Sequence, residues 1–498
     1  MDNARPFAGI EVVEFGQFIA VPFCAQVLSE GGAHVIKIES VEGDPVRHLA
    51  PLAPGETRHF VSRNRGKHSL PLDLRHPSAA RVVERLLARA DVVLTNFRPG
   101  LAAELGLEWP SLAPRFPRLV VGNVSAFGRR GPAARLAGMD LVVQARSGLL
   151  AAGGHVNDGV PTGGENPVVD YMCAMTLAFG IASALLRRER TGRGGEVDAS
   201  LLMSALLIQN NNMVRIDSAD RATHTAVRAR LAELRTAGRP YAEQAALTPQ
   251  IRPPGTVNVY YRTYATRDAA LAVACGSPAL RRAFIRTLGL SDDALDRPIT
   301  DRAKEVAHYL ALRRQVEAIV AARTTAEWQA ALEAAGVPAA GVKLPLELLD
   351  DEQPLANGML HDLNHPVLGP VRVLAPPVGM DGGGFVPAPA TAPFGSETRA
   401  ILGELGFSNA EVVALLAEGV TRDRVKSRAG GGSGARCGAR RRMRGVRVYV
   451  ERAAEGANEA DGLLAGTCAS CATGSGLRRA ADRRGRRGGR CAGCAGRW

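Results

Sequence analysis

An aspartate stands at the entrance of the longest apolar helix that this sequence predicts. In NPVVDYMCAMTLAFGIASALLRRERTGRGGEVDA, residues 166–199, Asp170 lies where a short strand or loop gives way to a helix. Apolar residues from Met172 to Leu186 recur at helical spacing with almost no polar interruption, which predicts burial on most sides. Arg187, Arg188 and Arg190 suit the carboxyl end, and Thr191-Gly192-Arg193-Gly194-Gly195 stops the helix before a final strand. The plainest chemistry for Asp170 is that of a cap. A carboxylate accepting backbone N–H bonds at a helix start contributes about 1 kcal/mol. Whether it does more depends on the rest of the chain.

Other chemistry-bearing spacings are few. His361 and His365 are four apart, but HDLNHP holds a proline that spoils a helix, so the segment reads as a surface loop rather than a metal site. Cys468, Cys471, Cys491 and Cys494 have the spacing of a zinc ribbon. The stretch between the pairs is Arg/Gly/Ala-rich with a single Leu, too little to build a ribbon's strands. No G-x-x-x-x-G-K-[ST] and no G-x-S-x-G occurs, and the first strand–helix turn, FGQFIAVPF, is not G-x-G-x-x-G. The usual dinucleotide, P-loop and serine-hydrolase readings are therefore disfavoured.

The elements that must position Asp170 read as follows. Residues 9–15 and 33–39 are strand-like and flank a helix, Pro22 to Glu30, ended by Gly31-Gly32. That is a β-α-β unit, the mark of a parallel sheet. A helix over 77–90 and strands over 91–96 and 119–124 continue the pattern, so residues 1–200 read as a doubly wound α/β domain. A helix over 201–222 leaves it, and a polar connector runs to about 254. Two short strands within 260–275 and helices over 278–290, 301–323 and 325–335 make a smaller α+β domain. Residues 336–345 read as a linker, and 346–420 return with a helix, the strand-like VRVLAPP and a last helix over 396–417. The organisation expected is a Rossmann-like large domain from residues 1–225 and 340–421, and a small domain over 226–339.

The 498 residues carry a net charge of +13, but the charge is uneven. Residues 422–498 hold 19 Lys and Arg against 6 Asp and Glu; the remainder is balanced at 43 of each. Nucleic-acid binding by the body is therefore not expected. The Arg/Gly/Ala-rich tail reads as disordered. Cys24, Cys173 and Cys275 are scattered as buried thiols of a reducing compartment would be, and MDNARPFAGIEVVEF is no signal peptide, so a cytoplasmic location and no membrane are expected.

Taken in order, FAGIEVVEF, GGAHVIKIESVEGDPVR, NRGKHSLPLDL, DVVLTNFRPG, NVSAFGRRGP, GMDLVVQARSGL, the Asp170 stretch and AAGVPAAGV resemble the class III coenzyme A transferases. That group includes formyl-CoA transferase, L-carnitine CoA-transferase and α-methylacyl-CoA racemase, and the resemblance runs from about residue 7 to 420. It implies an acyl-CoA:carboxylate CoA-transferase in which Asp170 is the nucleophile, forming a mixed anhydride and then an aspartyl-CoA thioester. A coenzyme A thioester is the substrate, a small carboxylic acid the acceptor, and no cofactor stays bound. Backbone N–H groups at the helix start are expected to stabilise developing oxyanions. By position the CoA site falls on Phe18, Ile19 and Ala20, on Leu72, Asp73, Leu74 and Arg75, and on Asn96, Phe97 and Arg98. Met139 joins them, and Lys37 and Arg47 are expected to meet the phosphates. The family's ring-shaped subunits interlock, so a homodimer is implied.

The sequence departs from the family pattern in places. Ser40 stands where a family arginine follows the second strand, and another family arginine is replaced near Glu104. The usual A-G-P after the first strand is Ala20-Val21-Pro22. The flexible glycine-rich loop of formyl-CoA transferase is matched by Ile251-Arg252-Pro253-Pro254-Gly255, which is stiffer. Oxalate or formyl specificity is not expected. Racemases carry a histidine in a G-H-D segment; here it is Gly138-Met139-Asp140, and methionine moves no proton. The alternatives are an α-methylacyl-CoA racemase with another base such as His155, and a non-catalytic CoA-binding protein.

Overall fold

The computed structural model describes residues 5–153, 155–247 and 259–424. The tail with its cysteine pairs and the 251–255 loop lie outside them. Six parallel strands form the central sheet: β1 (Glu11–Phe15), β2 (His34–Glu39), β3 (Lys67–Pro71), β4 (Val92–Thr95), β5 (Val120–Ser125) and β6 (Gly195–Ser200). Their order is β3-β2-β1-β4-β5-β6, so the winding reverses between β1 and β4. Sequence reading had no strand at β3.

Strand side chains alternate between the two faces, and each face has its own core. Val12, Val92 and Val120 pack with helices α1 (Ala20–Glu30) and α4 (Val168–Thr191) and with Leu201 and Ala205 of α5 (Leu201–Ile208). The register places Val12 beside Val92 and Val92 beside Val120. One residue on, Val13, Val93 and Val121 face α2 (Ala79–Arg89) and the last two helices, Thr398–Glu404 and Asn409–Ala417. Residues from opposite ends of the chain thus share one core. Between β5 and α4 lie α3 (Asp140–Ser147) and a hairpin of Val156–Asn157 with Val160–Pro161. Gly194 cannot be replaced cheaply, because a Cβ there would overlap the Leu119 carbonyl oxygen.

A second core lies over residues 259–341. Strands Tyr261–Ala265, Ala270–Ala274 and Ala339–Gly341 form an antiparallel sheet. Helices Pro278–Thr287, Arg302–Val320 and Thr325–Ala334 cover it around the buried Trp328.

Several expectations need correction. Ala339–Gly341 is the third strand of the small sheet, not linker, because its backbone completes the ladder beside Leu271–Val273. The connector expected to 254 contains a 20-residue helix, Asp217–Thr236, whose Val227 and Leu234 are buried with Leu247. His361 and His365 lie on a strand, Leu360–His365, paired with Gly369–Leu374; His365 is buried and bonded to the Thr391 hydroxyl. The helix expected over 396–417 is two helices, broken at Gly406, which has φ 78°. Helix α4 is long and apolar enough to cross a membrane, yet one face is packed into the core while Phe179 and Leu186 on the other are 77% and 56% exposed. Burial on most sides was too strong an expectation.

Candidate active site

Asp170 is the third residue of α4, in its first turn rather than at its cap. The cap comes from elsewhere in the chain. Asp140, at the start of α3, accepts the N–H bonds of Val169 and Asp170 on one carboxylate oxygen, each at 2.9 Å. Gln144, one turn further along α3, donates to the other oxygen and fixes the rotamer. The capping role that the sequence suggested for Asp170 therefore belongs to Asp140. The signal was present in the GMD segment but pointed to no contact, since the two helices meet only through the fold.

Capping also closes the expected oxyanion donors. Val168 N–H is bonded to the Asn166 carbonyl, Val169 and Asp170 to Asp140, and Tyr171 to the Pro167 carbonyl. The first turn of α4 thus has no uncommitted backbone donor to aim at a substrate, which corrects the expectation that these groups stabilise an oxyanion.

The Asp170 carboxylate itself has no hydrogen bond or ion pair among the described residues. Burial raises it first, the neighbouring Asp140 carboxylate adds to this, and Arg63 offsets part, leaving the carboxyl pushed up to about 7. Two carboxyl groups this close resist joint ionisation. Arg63 is buried, donates from Nε to the Tyr171 hydroxyl at 3.2 Å, and lies 5.9 Å from that ring's centre. Phe23 meets the same ring edge-on at 5.0 Å. Arg63 and Tyr171 are site residues that sequence reading did not single out, and Asp140 entered it only as the last residue of the Gly138-Met139-Asp140 segment.

The remaining predicted positions divide. Phe18, Ile19 and Ala20 form the turn after β1, with Phe18 at φ 65°, a left-handed conformation that a phenylalanine seldom adopts. Asn96 ties this turn to the one after β4: its side chain accepts from Gln17 N–H at 3.0 Å and donates to the Gln17 carbonyl at 2.8 Å. Phe97 packs on Phe15, and Arg98 is exposed. These two segments meet at the reversal of winding, where ligands of such sheets lie. Leu72–Arg75 follow β3, two strands away; Leu72 is buried and the Arg75 side chain is 96% exposed. Met139 precedes α3 and is half exposed.

Lys37 and Arg47 are not phosphate ligands in this arrangement. Lys37 is 1% exposed and binds Glu14 at 2.9 Å, Asp44 at 3.0 Å and the Gly16 carbonyl at 2.7 Å. Arg47, also 1% exposed, makes a two-pronged bond to Glu39 at 2.7 and 2.9 Å and stacks on Phe60. Their donors are used inside the fold. No cluster of three or more metal-binding side chains exists among the described residues.

The comparisons with known proteins agree on one family. The model of CoA-transferase family III matches residues 7–396. The chain is 27% identical over 428 residues to the cinnamoyl-CoA:phenyllactate CoA-transferase of Clostridium sporogenes, covering 83% of this chain and 97% of that one. It is 30% identical to the succinate–glutarate CoA-transferase of Agrobacterium fabrum, covering 73% and 86%. A crystal structure of a CAIB/BAIF family protein from Brucella suis superposes with a TM-score of 0.62 at 27% identity, covering 80% of this chain and 99% of the other.

Proposed function

This chain belongs to CoA-transferase family III, and we propose on that premise that it moves coenzyme A between an acyl-CoA and a carboxylic acid through a covalent adduct on Asp170. The observation that carries the reading is an unengaged carboxylate, raised toward neutrality, on the first turn of a core-packed helix. A carboxylate held in ion pairs would be a poor nucleophile; this one has only another carboxylate and Arg63 near it.

The steps balance as follows. An Asp170 oxygen attacks the thioester carbonyl, the C–S bond breaks, and CoA leaves as thiolate, giving a mixed anhydride. The thiolate attacks the Asp170 side-chain carbonyl, and the donor acid leaves as carboxylate, giving aspartyl-CoA. The acceptor carboxylate repeats the sequence in reverse and departs as its CoA thioester. No proton need be moved between substrates, so methionine at position 139 costs this reaction nothing. The buried Arg63 is the cation placed to stabilise charge built up at the Asp170 carbonyl.

The CoA is proposed to lie along the carboxyl ends of β1 and β4, over Phe18–Ala20 and Asn96–Arg98, with Arg75 at its periphery. A homodimer is proposed as the working form. Its support is the group of exposed apolar side chains on α4 and α5, Phe179, Leu186, Met203 and Leu207, a kind of surface that a partner subunit would cover.

The test is intact-mass analysis after mixing with an acyl-CoA and no acceptor. Wild-type protein should carry a CoA thioester, and Asp170→Asn should carry none while still binding CoA. Undiminished transfer by Asp170→Asn would overturn the assignment, and α-proton exchange in deuterated water without acyl transfer would favour the racemase chemistry instead.

A further inference from the structure

A cavity of about 780 Å³ opens beside the head of α4. That volume lies within the range of ligand clefts and leaves room for an acyl chain together with part of the carrier that bears it. Asn166 and Pro167 line it, four and three residues before Asp170 and immediately ahead of the helix, which begins at Val168. Asp140 both lines the cavity and holds the Asp170 N–H. An open cleft thus starts at the cap of the helix that carries the proposed nucleophile.

Its lining has a definite chemistry. Leu141, Val142, Ala145 and Leu150 supply apolar walls. The glycine at 163 keeps the space open, because a Cβ there would come within 3.1 Å of Leu141 and 3.2 Å of Leu150. Among the described lining residues there is no Lys, Arg or His, while Asp140 and Glu165 are acids. A second carboxylate on a substrate entering this space would meet like charge and no cation. An apolar chain would meet matching surface.

We propose, resting on the transferase reading, that this cavity holds the carbon chain of the acyl group and selects apolar monocarboxylic acids, aliphatic or aromatic, against dicarboxylic ones. Both half-reactions use Asp170, so donor and acceptor chains occupy the same space in turn, and the selectivity applies to both. The donor therefore comes from reactions that activate hydrophobic monoacids.

The experiment compares hexanoyl-CoA and 3-phenylpropanoyl-CoA with succinyl-CoA and glutaryl-CoA as donors to one common acceptor, using the full chain. The expected result is a kcat/KM at least about tenfold higher for the apolar donors, the scale of like-charge repulsion in an open, partly solvated cleft. Lengthening a straight-chain donor should raise kcat/KM by roughly threefold per methylene until the cavity is full. Leu150→Arg supplies the missing cation and should shift the apolar-to-succinyl ratio at least about tenfold toward succinyl. Thr162→Arg, at an exposed lining position, repeats that test should the first variant not fold. Equal use of both donor classes, preference for the dicarboxylyl donors, or ratios unmoved in folded variants would overturn the inference while leaving the transferase reading intact. Transfer from no donor of either class would overturn the transferase reading, and this inference with it.

Discussion

Beneath the turn after β1, Glu14, Asp44 and Glu39 each have a lysine or arginine within 3.0 Å; at the head of α4, Asp170 stands beside the Asp140 carboxylate with Arg63 as the cation acting on it. Both regions bury carboxylates, and the outcomes are opposite. In the first, burial pushes Glu39 up, but Arg47, Lys37 and the Ser69 hydroxyl outweigh it and hold it down at about 2. Burial alone would lower the Lys37 ammonium, yet Glu14, Asp44 and Glu39 keep it above its ordinary value. Lys67, sharing Glu14 at 2.7 Å, is lowered to about 8 because burial and the repulsion of Lys37 win there. Glu14, Asp44 and Glu39 are thus paired and support the turn: Lys37 holds the Gly16 carbonyl two residues before the left-handed Phe18. Glu56 in the same cluster is also raised by burial to about 7, but it keeps Arg47 at 3.6 Å. At α4 the acids exceed the cations, and a carboxyl rises to about 7. What sets Asp170 apart from the frame's acids is that no cation pairs with it, which leaves its carboxylate available for chemistry.

The largest effect that bears on this contrast is on rate. Asp170→Asn should lower steady-state CoA transfer by at least about 1,000-fold, because it removes the nucleophile of the proposed covalent route. The same variant should remove a stability slope. The folded pKa of Asp170 is raised above the unfolded value near 4, so its contribution is complete below pH 4 and is lost as pH rises to about 7. Wild-type unfolding midpoints should fall across that window more than those of Asp170→Asn; parallel curves would show that the carboxyl is not raised. On the framework side, Lys37→Met leaves Glu14 and Asp44 short of a partner and should cost about 3–5 kcal/mol in denaturant unfolding. A loss confined to CoA affinity, with stability intact, would restore Lys37 as a phosphate ligand.

This contrast also explains how much could be read in advance. The β-α-β order was legible because Val12-Val13, Val92-Val93 and Val120-Val121 are apolar on both faces, as strands of a covered parallel sheet must be. β3 was not legible: Lys67, His68 and Ser69 look like surface, and only the pairing of Lys67 with Glu14 and Asn64 makes that strand interior. For the same reason Lys37 and Arg47 read as exposed cations, since their acidic partners are remote in sequence or indistinguishable from solvent-facing acids. Asp170 was legible as the head of a helix, and as more than that only through the resemblance of its surroundings. Its true cap lies 30 residues earlier, and no local periodicity joins Asp140 to it.

A smaller effect separates the two carboxylates of the site. Asp140→Asn keeps an oxygen for the Val169 and Asp170 N–H groups but removes the charge facing Asp170. In the proposed route the ionised carboxylate is the nucleophile, so transfer should fall as pH drops below about 7. In Asp140→Asn that acid limb should move to lower pH by about one unit, with modest loss of stability. An unmoved limb would mean that burial alone sets the Asp170 pKa.

The smallest effect concerns cations that the fold leaves outside its frame. Arg75 and Arg98 are exposed on the turns after β3 and β4, at the carboxyl edge of the sheet, and Arg75 approaches Asp73 only at 4.0 Å. A phosphate can recruit such side chains without breaking a buried pair, which Lys37 and Arg47 cannot offer. Replacing both with alanine should raise the KM for acyl-CoA about three- to tenfold, leave kcat and the unfolding midpoint nearly unchanged, and flatten the salt dependence of KM. A KM equal to that of the wild type at low salt would place the CoA phosphates away from this edge.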